Sequence, residues 1–134
     1  MKSNKIIRGY IFSRPFVNER VPQHIQNIII RDYCVKNNLH FLLSATEYAM
    51  DECHNVLNRL VKNLSNIHGI VAYSLFQLPE DTDLRNNIYK KILSKKKVMY
   101  FAVENLSISN KDNCNNVENI WLIKKTLRNC LKKF

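Results

Sequence analysis

Four short apolar runs recur along this chain, and each one stops at polar residues before a segment with helical periodicity begins. The first run, residues 5–13, is apolar on both faces, which is typical of a strand in a parallel sheet covered on both sides. The other runs span residues 40–44, 69–75 and 98–103. Strands and helices that alternate at this spacing are joined by right-handed crossovers. The sequence therefore predicts a three-layer α/β fold, with a mostly parallel four-stranded sheet and helices on both faces.

The segments between these runs carry apolar residues at the spacing of an amphipathic helix. The first helix is predicted from Pro22, whose missing N–H is tolerated in a first helical turn, to about Asn38. A second helix is predicted from Asp51 and a third from Pro79. The predicted core residues are Val21, Ile25, Ile28, Ile29 and Tyr33 in the first helix, Cys53, Val56, Leu57, Leu60, Val61 and Leu64 in the second, and Leu84, Ile88 and Ile92 in the third.

The length of 134 residues and the hydrophobic content of 46% suit a single α/β domain over residues 1–134. Within it we expect the sheet and its crossover helices over residues 1–108, a polar loop over 109–116 and a C-terminal helix over 117–134. No apolar run approaches the roughly 20 residues that cross a bilayer, and the N-terminus lacks the apolar core of a signal peptide. We therefore expect a cytoplasmic protein with no membrane span.

Neither a metal nor a cofactor is expected. The four cysteines are scattered and form no Cys-x-x-Cys pair, so free thiols are favoured over disulfides. A zinc site with Cys53 and His54 is the alternative, and it is less favoured because structural zinc ligands usually come in closely spaced pairs. Gly9 and Gly69 are the only glycines, so the chain has no glycine-rich loop for a dinucleotide or for nucleotide phosphates.

The chain is strongly basic, with 21 lysines and arginines against 11 aspartates and glutamates and a net charge of +10. Such a balance attracts partners that carry phosphate groups. Much of the excess, however, comes from lysines on predicted outward helix faces. The chain is also rich in asparagine and isoleucine, a composition that biased codon usage can produce. The sequence therefore favours a solvated basic surface, and nucleic acid is a weaker candidate partner.

Open parallel sheets bind their ligands where the carboxyl ends of the strands meet. Ser13 and Arg14, residues 44–47, residues 74–77, and Glu104 with Asn105 all follow predicted strands and fall at that edge. His40 and His68 begin strands and fall at the opposite edge. His24 and His54 belong to early helix turns, from which they can reach the ligand-binding edge.

This placement predicts an anion site built from arginines beside a helix N-terminus, with carboxylates nearby for acid or base chemistry. The alternative is that the arginines are surface side chains and that the glutamates are loop or capping groups. The candidate catalytic residues are Ser13, Glu47 and Glu104. The candidate anion-binding residues are Arg8, Arg14, Arg20, Gln23, Gln26, Ser74 and Gln77.

Several segments resemble the sporadic carbohydrate cluster protein family, whose genes lie irregularly among genes for bacterial surface polysaccharides. The similar segments are residues 8–15 (RGYIFSRP), 21–27 (VPQHIQN), 31–34 (RDYC), 69–71 (GIV) and 74–79 (SLFQLP). This resemblance implies a small cytoplasmic protein of surface polysaccharide biosynthesis. It also implies that the partner at the carboxyl ends of the strands is a phosphorylated sugar or a nucleotide-sugar, either bound or processed.

A second resemblance is to the fold of the serine recombinase, or resolvase, catalytic domain, in which a Gly-Tyr strand leads to a nucleophilic serine. Here Gly9-Tyr10 leads to Ser13, one residue earlier than the family spacing. Gln77 and Glu80 stand where the family has arginines after its third strand, and His54 stands near the position of another catalytic arginine. The 134 residues also contain no helix-turn-helix domain. The alternative function is therefore a non-catalytic resolvase-like module that binds nucleic acid or a protein partner.

The C-terminal segment carries an apolar stripe at helical spacing that consists of Val117, Ile120, Trp121, Leu127, Leu131 and Phe134. The stripe either covers the last strand of its own sheet or forms a self-association face. Serine recombinases dimerise through a helix that follows the sheet, so the resemblance implies a homodimer. Large aromatic residues often dominate interface energies, so we expect Trp121 at or near the contact.

Overall fold

The computed structural model describes residues 5–15, 21–50 and 53–131, with side chains as far as residue 127. Its strands are β1 (Ile6–Ile11), β2 (His40–Thr46), β3 (Gly69–Ala72), β4 (Val98–Phe101) and β5 (Leu106–Ile108). Its α-helices are α1 (Gln23–Lys36), α2 (Asn55–Lys62), α3 (Thr82–Ser94) and α4 (Lys111–Leu131). A short 3-10 helix, Leu75–Gln77, follows β3.

The strands form one sheet in the order β2-β1-β3-β4-β5, and the first four strands are parallel. The predicted α/β fold with a mostly parallel sheet is confirmed, but the predicted number of four strands is wrong. β5 is a fifth strand, antiparallel to β4, and pairs Ile108 with Met99. A tight turn joins β4 to β5, and Asn105 adopts the left-handed conformation there with φ 53°. A strand of three residues is too short to show a periodicity in the sequence.

Two apolar cores separate the layers. On one face, Ile7, Ile11 and Val71 of the sheet pack with Ile30 and Cys34 of α1. On the other face, a larger core combines residues of α2, α3 and α4 with the sheet. It consists of Tyr10, Phe12, Leu57, Val61, Leu64, Ile67, Ile70, Ala72, Leu75, Leu78, Ile88, Tyr89, Ile92, Met99, Phe101, Ile108, Cys114, Val117 and Trp121.

The predicted inner face is right for α2 and only partly right for α1, for which the predicted residues Val21 and Tyr33 pack against the cores. Leu57, Val61 and Leu64 are buried as expected. In α1, by contrast, Ile25 and Ile28 are exposed, and the buried residues are Gln26, Ile30 and Cys34. The α1 face that meets the sheet therefore includes a polar residue, and an apolar-periodicity pattern cannot anticipate this. Leu84, predicted to be in the core of α3, is also exposed.

Two predicted boundaries shift. The predicted start of the second helix, Asp51, lies outside the described residues, and α2 begins at Asn55. α4 begins at Lys111, so most of the predicted loop over 109–116 is helical. The polar residues there cap the helix. Asn110 Oδ1 accepts from the Asn113 N–H at 2.9 Å, and Asn113 Oδ1 accepts from the N–H and the hydroxyl of Ser109 at 3.0 Å each.

Gly9 lies in β1 opposite a bulge in the neighbouring strand β2. The pairing register shifts between Arg8 and Tyr10, so β2 carries a bulge there. The side chain of Ser44 packs so closely over Gly9 that a β-carbon would overlap its hydroxyl. That hydroxyl donates to Oδ1 of Asn27 in α1 at 2.6 Å. The absence of a side chain at Gly9 is therefore required for the contact that ties β2 to α1.

Among the described helices, none is both long enough and apolar enough to span a membrane.

Candidate functional site

The carboxyl edge, defined here as the edge where the four parallel strands end, gathers most of the candidate residues. Ser13 and Arg14 follow β1, Glu47 follows β2, Ser74 and Gln77 follow β3, and Glu104 follows β4. Gln26 reaches the same edge from the first turns of α1.

Two of the candidates that the structure describes do not join this cluster. Gln23 is exposed at the start of α1. Arg8 lies inside β1, and its Nη1 donates to the Leu43 carbonyl at 3.1 Å. Arg20 lies outside the described residues.

Glu47 is a buried carboxylate whose acceptor positions are filled. Oε1 accepts from the Tyr10 hydroxyl at 2.7 Å and from the Leu57 N–H at 3.2 Å. Oε2 accepts from the N–H groups of Tyr48 at 3.1 Å and Val56 at 3.0 Å. Val56 and Leu57 are the second and third residues of α2, so the carboxylate caps the N-terminus of this helix.

These contacts set the protonation of both partners. Burial opposes ionisation of Glu47, but hydrogen bonds from the Val56 N–H, the Tyr10 hydroxyl and the Leu57 N–H outweigh it, so the pKa of Glu47 falls below its ordinary value. Burial and the neighbouring charge of Glu47 raise the pKa of Tyr10 far above its ordinary value. Glu47 is therefore ionised and Tyr10 neutral at physiological pH.

Ser13 and Arg14 both bond to the chain that follows β2. The Ser13 hydroxyl donates to the Glu47 carbonyl at 3.0 Å, and Nη1 of Arg14 donates to the Tyr48 carbonyl at 2.9 Å. The Arg14 guanidinium also lies 4.3 Å from the centre of the Phe12 ring, within the range of a cation–π contact. Only 8% of Arg14 is exposed.

Gln26 and Gln77 form a fully buried amide pair across the edge. Nε2 of Gln77 donates to Oε1 of Gln26 at 2.8 Å. Oε1 of Gln26 also accepts from the Phe12 N–H at 3.0 Å, and its Nε2 donates to the carbonyls of Phe12 at 2.9 Å and Val21 at 2.8 Å. Gln26 thus uses both donors and both acceptor positions within the protein.

Ser74 and Glu104 bridge the ends of β3 and β4. The Ser74 hydroxyl donates to Oε2 of Glu104 at 2.7 Å and accepts from the Phe76 N–H at 3.2 Å. Oε1 of Glu104 accepts from the Leu75 N–H at 2.9 Å. Gln77 Oε1 accepts from the Ser74 N–H at 3.3 Å, which completes a capping box around the 3-10 helix.

His54 reaches the carboxyl edge, as expected from its place before α2. Its Nε2 donates to the Gln77 carbonyl at 3.1 Å, and its ring lies 5.8 Å from the Phe12 ring. Cys53, the partner considered for a zinc site, has its thiol 3.7 Å from Oε2 of Glu47. In the parts of the chain that the structure describes, no three histidine, cysteine or acidic residues are grouped to hold a metal ion.

The sequence analysis missed Tyr10 and Phe12 as members of this site. The sequence pattern places both in an apolar strand. In the structure the Tyr10 hydroxyl donates to the Glu47 carboxylate, and the Phe12 ring makes a cation–π contact with the Arg14 guanidinium. A buried tyrosine usually needs a hydrogen-bond partner for its hydroxyl. Glu47, the acid that follows the neighbouring strand, is the feature of the sequence that could have indicated this pair.

Comparison with solved structures identifies the architecture. The N-terminal catalytic domain of TP901-1 integrase matches with a TM-score of 0.63 at 14% identity, over 92% of this chain and 98% of that one. A resolvase family site-specific recombinase from Streptococcus pneumoniae matches with a TM-score of 0.61 at 10% identity, over 95% of this chain and 97% of that one. The fold is that of the serine recombinase catalytic domain.

No model of a protein family matches the sequence, and no curated protein matches it. The expected membership in the sporadic carbohydrate cluster family therefore has no support.

The Gln77 amide is bonded inside the protein, and the Glu80 carbonyl accepts from Arg85 Nη1 at 2.8 Å.

Trp121, the residue expected at or near a dimer contact, is mostly buried. Trp121 is 8% exposed and packs inside its own chain, with its ring 5.1 Å from the Phe76 ring and 4.4 Å from the Arg85 guanidinium. Arg85 forms a bidentate pair with Glu118 of α4 through Nε and Nη2, both at 2.8 Å. The first half of α4 is thus fixed to α3. The apolar residues that α4 exposes are Leu122, Ile123 and Leu127.

Proposed function

We propose that this protein is a non-catalytic module of resolvase fold that binds nucleic acid through its basic surface. The observation that carries the proposal is the closed network at the carboxyl edge. Ser13, Glu47, Ser74, Gln77 and Glu104 all use their polar groups on one another or on nearby backbone. Polar residues committed in this way maintain the shape of the edge and are poorly placed for chemistry on a ligand.

Phosphoryl transfer through a serine needs a base for its proton and cations for the charge on phosphate. The Glu47 carboxylate is a weak base because its pKa is lowered and its oxygens already accept several hydrogen bonds. The resemblance to recombinases implies arginines that stabilise the phosphate, and Gln77 and Glu80 stand at two of those positions. These features favour binding over cleavage.

The net charge of +10 supports a polyanionic partner. Many lysines and arginines of the described helices are exposed, and their binding to phosphates would release counterions into solution. The exposed ones in helices are Arg31, Lys36, Arg59, Lys62, Lys90, Lys111 and Lys125. We therefore expect the protein to bind duplexes of any sequence, with an affinity that falls strongly as the salt concentration rises.

Fluorescence anisotropy with a labelled DNA duplex tests the proposal. We expect binding at low salt that weakens linearly on a log–log plot as salt rises. The same mixtures, resolved on denaturing gels, should show uncut strands, and the Ser13→Ala variant should bind like the wild type. The absence of binding at low salt contradicts the binding role, and a covalent adduct between Ser13 and DNA contradicts the non-catalytic role.

A homodimer through α4 is the second proposal for a partner. It is supported by Leu122, Ile123 and Leu127, which are 62%, 59% and 55% exposed. Three large apolar side chains within six residues are unusual on a free helix surface, and a second copy of the same helix would cover them.

A phosphorylated sugar or nucleotide-sugar is a weaker candidate ligand. It would rest mainly on Arg14, a cation at the carboxyl edge that is almost fully buried. A thermal-shift screen of sugar phosphates and nucleotide-sugars tests it. A stabilising ligand whose effect disappears in the Arg14→Ala variant would support a sugar site, whereas no shift with any of these compounds would count against it.

A further inference from the structure

The charged residues of this protein are distributed unequally between the two ends of the sheet. Acids cluster at the carboxyl edge and at the start of α3, where Glu47, Glu80, Asp81, Asp83 and Glu104 lie. The opposite end, called here the amino edge, is where the four parallel strands begin and where α1, α2 and α3 end. Bases are concentrated there.

A lysine or a histidine stands at the start of each parallel strand. In spatial order these are His40 for β2, Lys5 for β1, His68 for β3 and Lys97 for β4. Nδ1 of His68 accepts from the Ile6 N–H at 3.0 Å, so the positive charge of this row comes from its lysines. Backbone hydrogen bonds join neighbours along this row: the His40 N–H donates to the Lys5 carbonyl at 2.8 Å, and the Val98 N–H donates to the His68 carbonyl at 3.2 Å. Adjacent strands are about 4.8 Å apart, so the row is roughly 14 Å long.

The ends of α2 and α3 add further cations beside this row. Lys95 acts as a structural anchor, because its Nζ donates to the carbonyls of Val61 at 2.9 Å and Lys62 at 2.8 Å. This contact holds the end of α3 against the end of α2. Lys91 lies in the last turn of α3, Lys96 follows that helix, and Lys62 is the last residue of α2.

The local backbone presents consecutive lysines at this corner. Lys96 adopts the left-handed conformation with φ 56°, and the Lys97 N–H donates to the Ile92 carbonyl at 3.0 Å. This arrangement ends α3 abruptly.

Among the described acidic residues, Asp32 and Asp112 lie near the amino edge. Asp32 near the end of α1 is paired with Lys36 at 2.9 Å. Asp112 lies in the first turn of α4, next to Lys111. Lysines at helix C-termini also interact favourably with the helix dipole, which explains the positions of Lys36 and Lys62. It does not account for Lys5, Lys96 and Lys97, which lie outside the helices.

We infer that the amino edge is the surface that binds nucleic acid, and that it contacts the phosphate backbone of a duplex. This inference rests on the proposed binding function and adds to it the face and the kind of contact. The end of the fold that carries the candidate catalytic residues also carries most of the described acids, which makes it less favourable for a phosphate backbone. Lysine contacts to phosphates carry little sequence information, so binding is largely independent of sequence.

A duplex fits this surface better than a single strand. Single strands are usually held by exposed aromatic rings on which their bases stack. Among the described residues, the aromatic side chain that stands out as exposed is Tyr48, and it follows β2 at the carboxyl edge. Apart from the imidazoles of His40 and His68, the described part of the amino edge therefore offers charge for a backbone and no exposed aromatic ring for bases to stack on.

Two triple variants of equal charge change test the inference in the same anisotropy assay. One variant, Lys62→Gln with Lys91→Gln and Lys96→Gln, neutralises the amino edge and leaves the anchor Lys95 in place. The control, Arg31→Gln with Lys124→Gln and Lys125→Gln, removes three charges elsewhere. Thermal melts confirm that both variants fold.

We expect the amino-edge variant to lose at least about tenfold in affinity at low salt and to lower the salt slope by about 2, while the control changes affinity by less than about threefold. If the wild type binds and both variants weaken equally, the inference is overturned while the proposed binding function stands. If the wild type binds no duplex, both fail. If a single strand of equal length binds more tightly than the duplex, the assignment of a duplex is wrong.

Discussion

The side chains of Gln26 and Gln77, 51 positions apart in sequence, meet with Nε2 of Gln77 2.8 Å from Oε1 of Gln26. The first comes from α1 and the second from the turn after β3, so the pair joins two layers across the end of β1. Because Gln26 also bonds both backbone groups of Phe12, it fixes the point at which β1 ends. This buried amide pair therefore ties α1 to the carboxyl edge of the sheet.

Loss of the Gln26 amide should be costly. Gln26→Ala leaves the N–H and carbonyl of Phe12 and the Gln77 amide buried without partners, and each such group costs about 1–3 kcal/mol. We expect the free energy of unfolding to fall by about 2–4 kcal/mol in urea titrations. Gln23→Ala, three positions earlier and exposed, is the matched control and should change stability by less than about 0.5 kcal/mol. Equal effects of the two substitutions would contradict the structural role of Gln26.

Glu47 should make stability depend on pH in the acid range. Its pKa is lower in the folded protein than the value of about 4.3 for an unfolded chain, so its contribution is present above that value. The contribution is lost as pH falls through the pKa of the folded state, because protonation of Glu47 is less favourable in the folded protein than in the unfolded chain.

Glu47→Gln should therefore be less stable than the wild type at pH 7 by about 2 kcal/mol, and the difference should shrink towards pH 3. Urea titrations across this range measure both proteins. A difference that stays constant over the whole range would show that the charge of Glu47 does not stabilise the fold.

The sequence was sufficient to predict the layers of the fold and the residues that follow the parallel strands at the carboxyl edge. Both follow from the alternation of strands and helices. Ser13, Glu47, Ser74 and Glu104 meet there for that reason. Their hydrogen bonds to one another could not be predicted, since these depend on side-chain positions within a few tenths of an ångström. The bulge opposite Gly9 is likewise a tertiary feature that strand periodicity does not encode.

Helix faces were predictable only where the buried residues are apolar. α2 buries Leu57 and Val61, and its pattern gave the right face. α1 buries Gln26 and exposes Ile28, which reverses the usual preference. The segment around the start of α4 is rich in asparagine, a composition typical of a loop, although Asn110 and Asn113 cap a helix there.

Trp121 should contribute to the stability of the monomer. Its ring fills the space between Phe76 and Arg85, so Trp121→Ala should cost about 3–5 kcal/mol in the free energy of unfolding. Trp121→Phe should cost clearly less, because the ring contact is partly kept and Nε1 has no hydrogen-bond partner to lose. Thermal and urea unfolding measure both variants. If Trp121→Ala remains as stable as the wild type, this packing does not support the fold.

The exposed apolar residues of α4 should control self-association separately from folding. The double variant Ile123→Lys with Leu127→Lys places charges on the proposed contact. It leaves Trp121 and Glu118 untouched, so each monomer should remain folded. Val35→Lys on α1 replaces another exposed apolar residue and serves as the control. Sedimentation velocity over a range of concentrations should give a dimer for the wild type and for Val35→Lys, and a monomer for the double variant. A wild type that stays monomeric at the highest concentration contradicts the dimer, and the exposed apolar residues of α4 then need another partner.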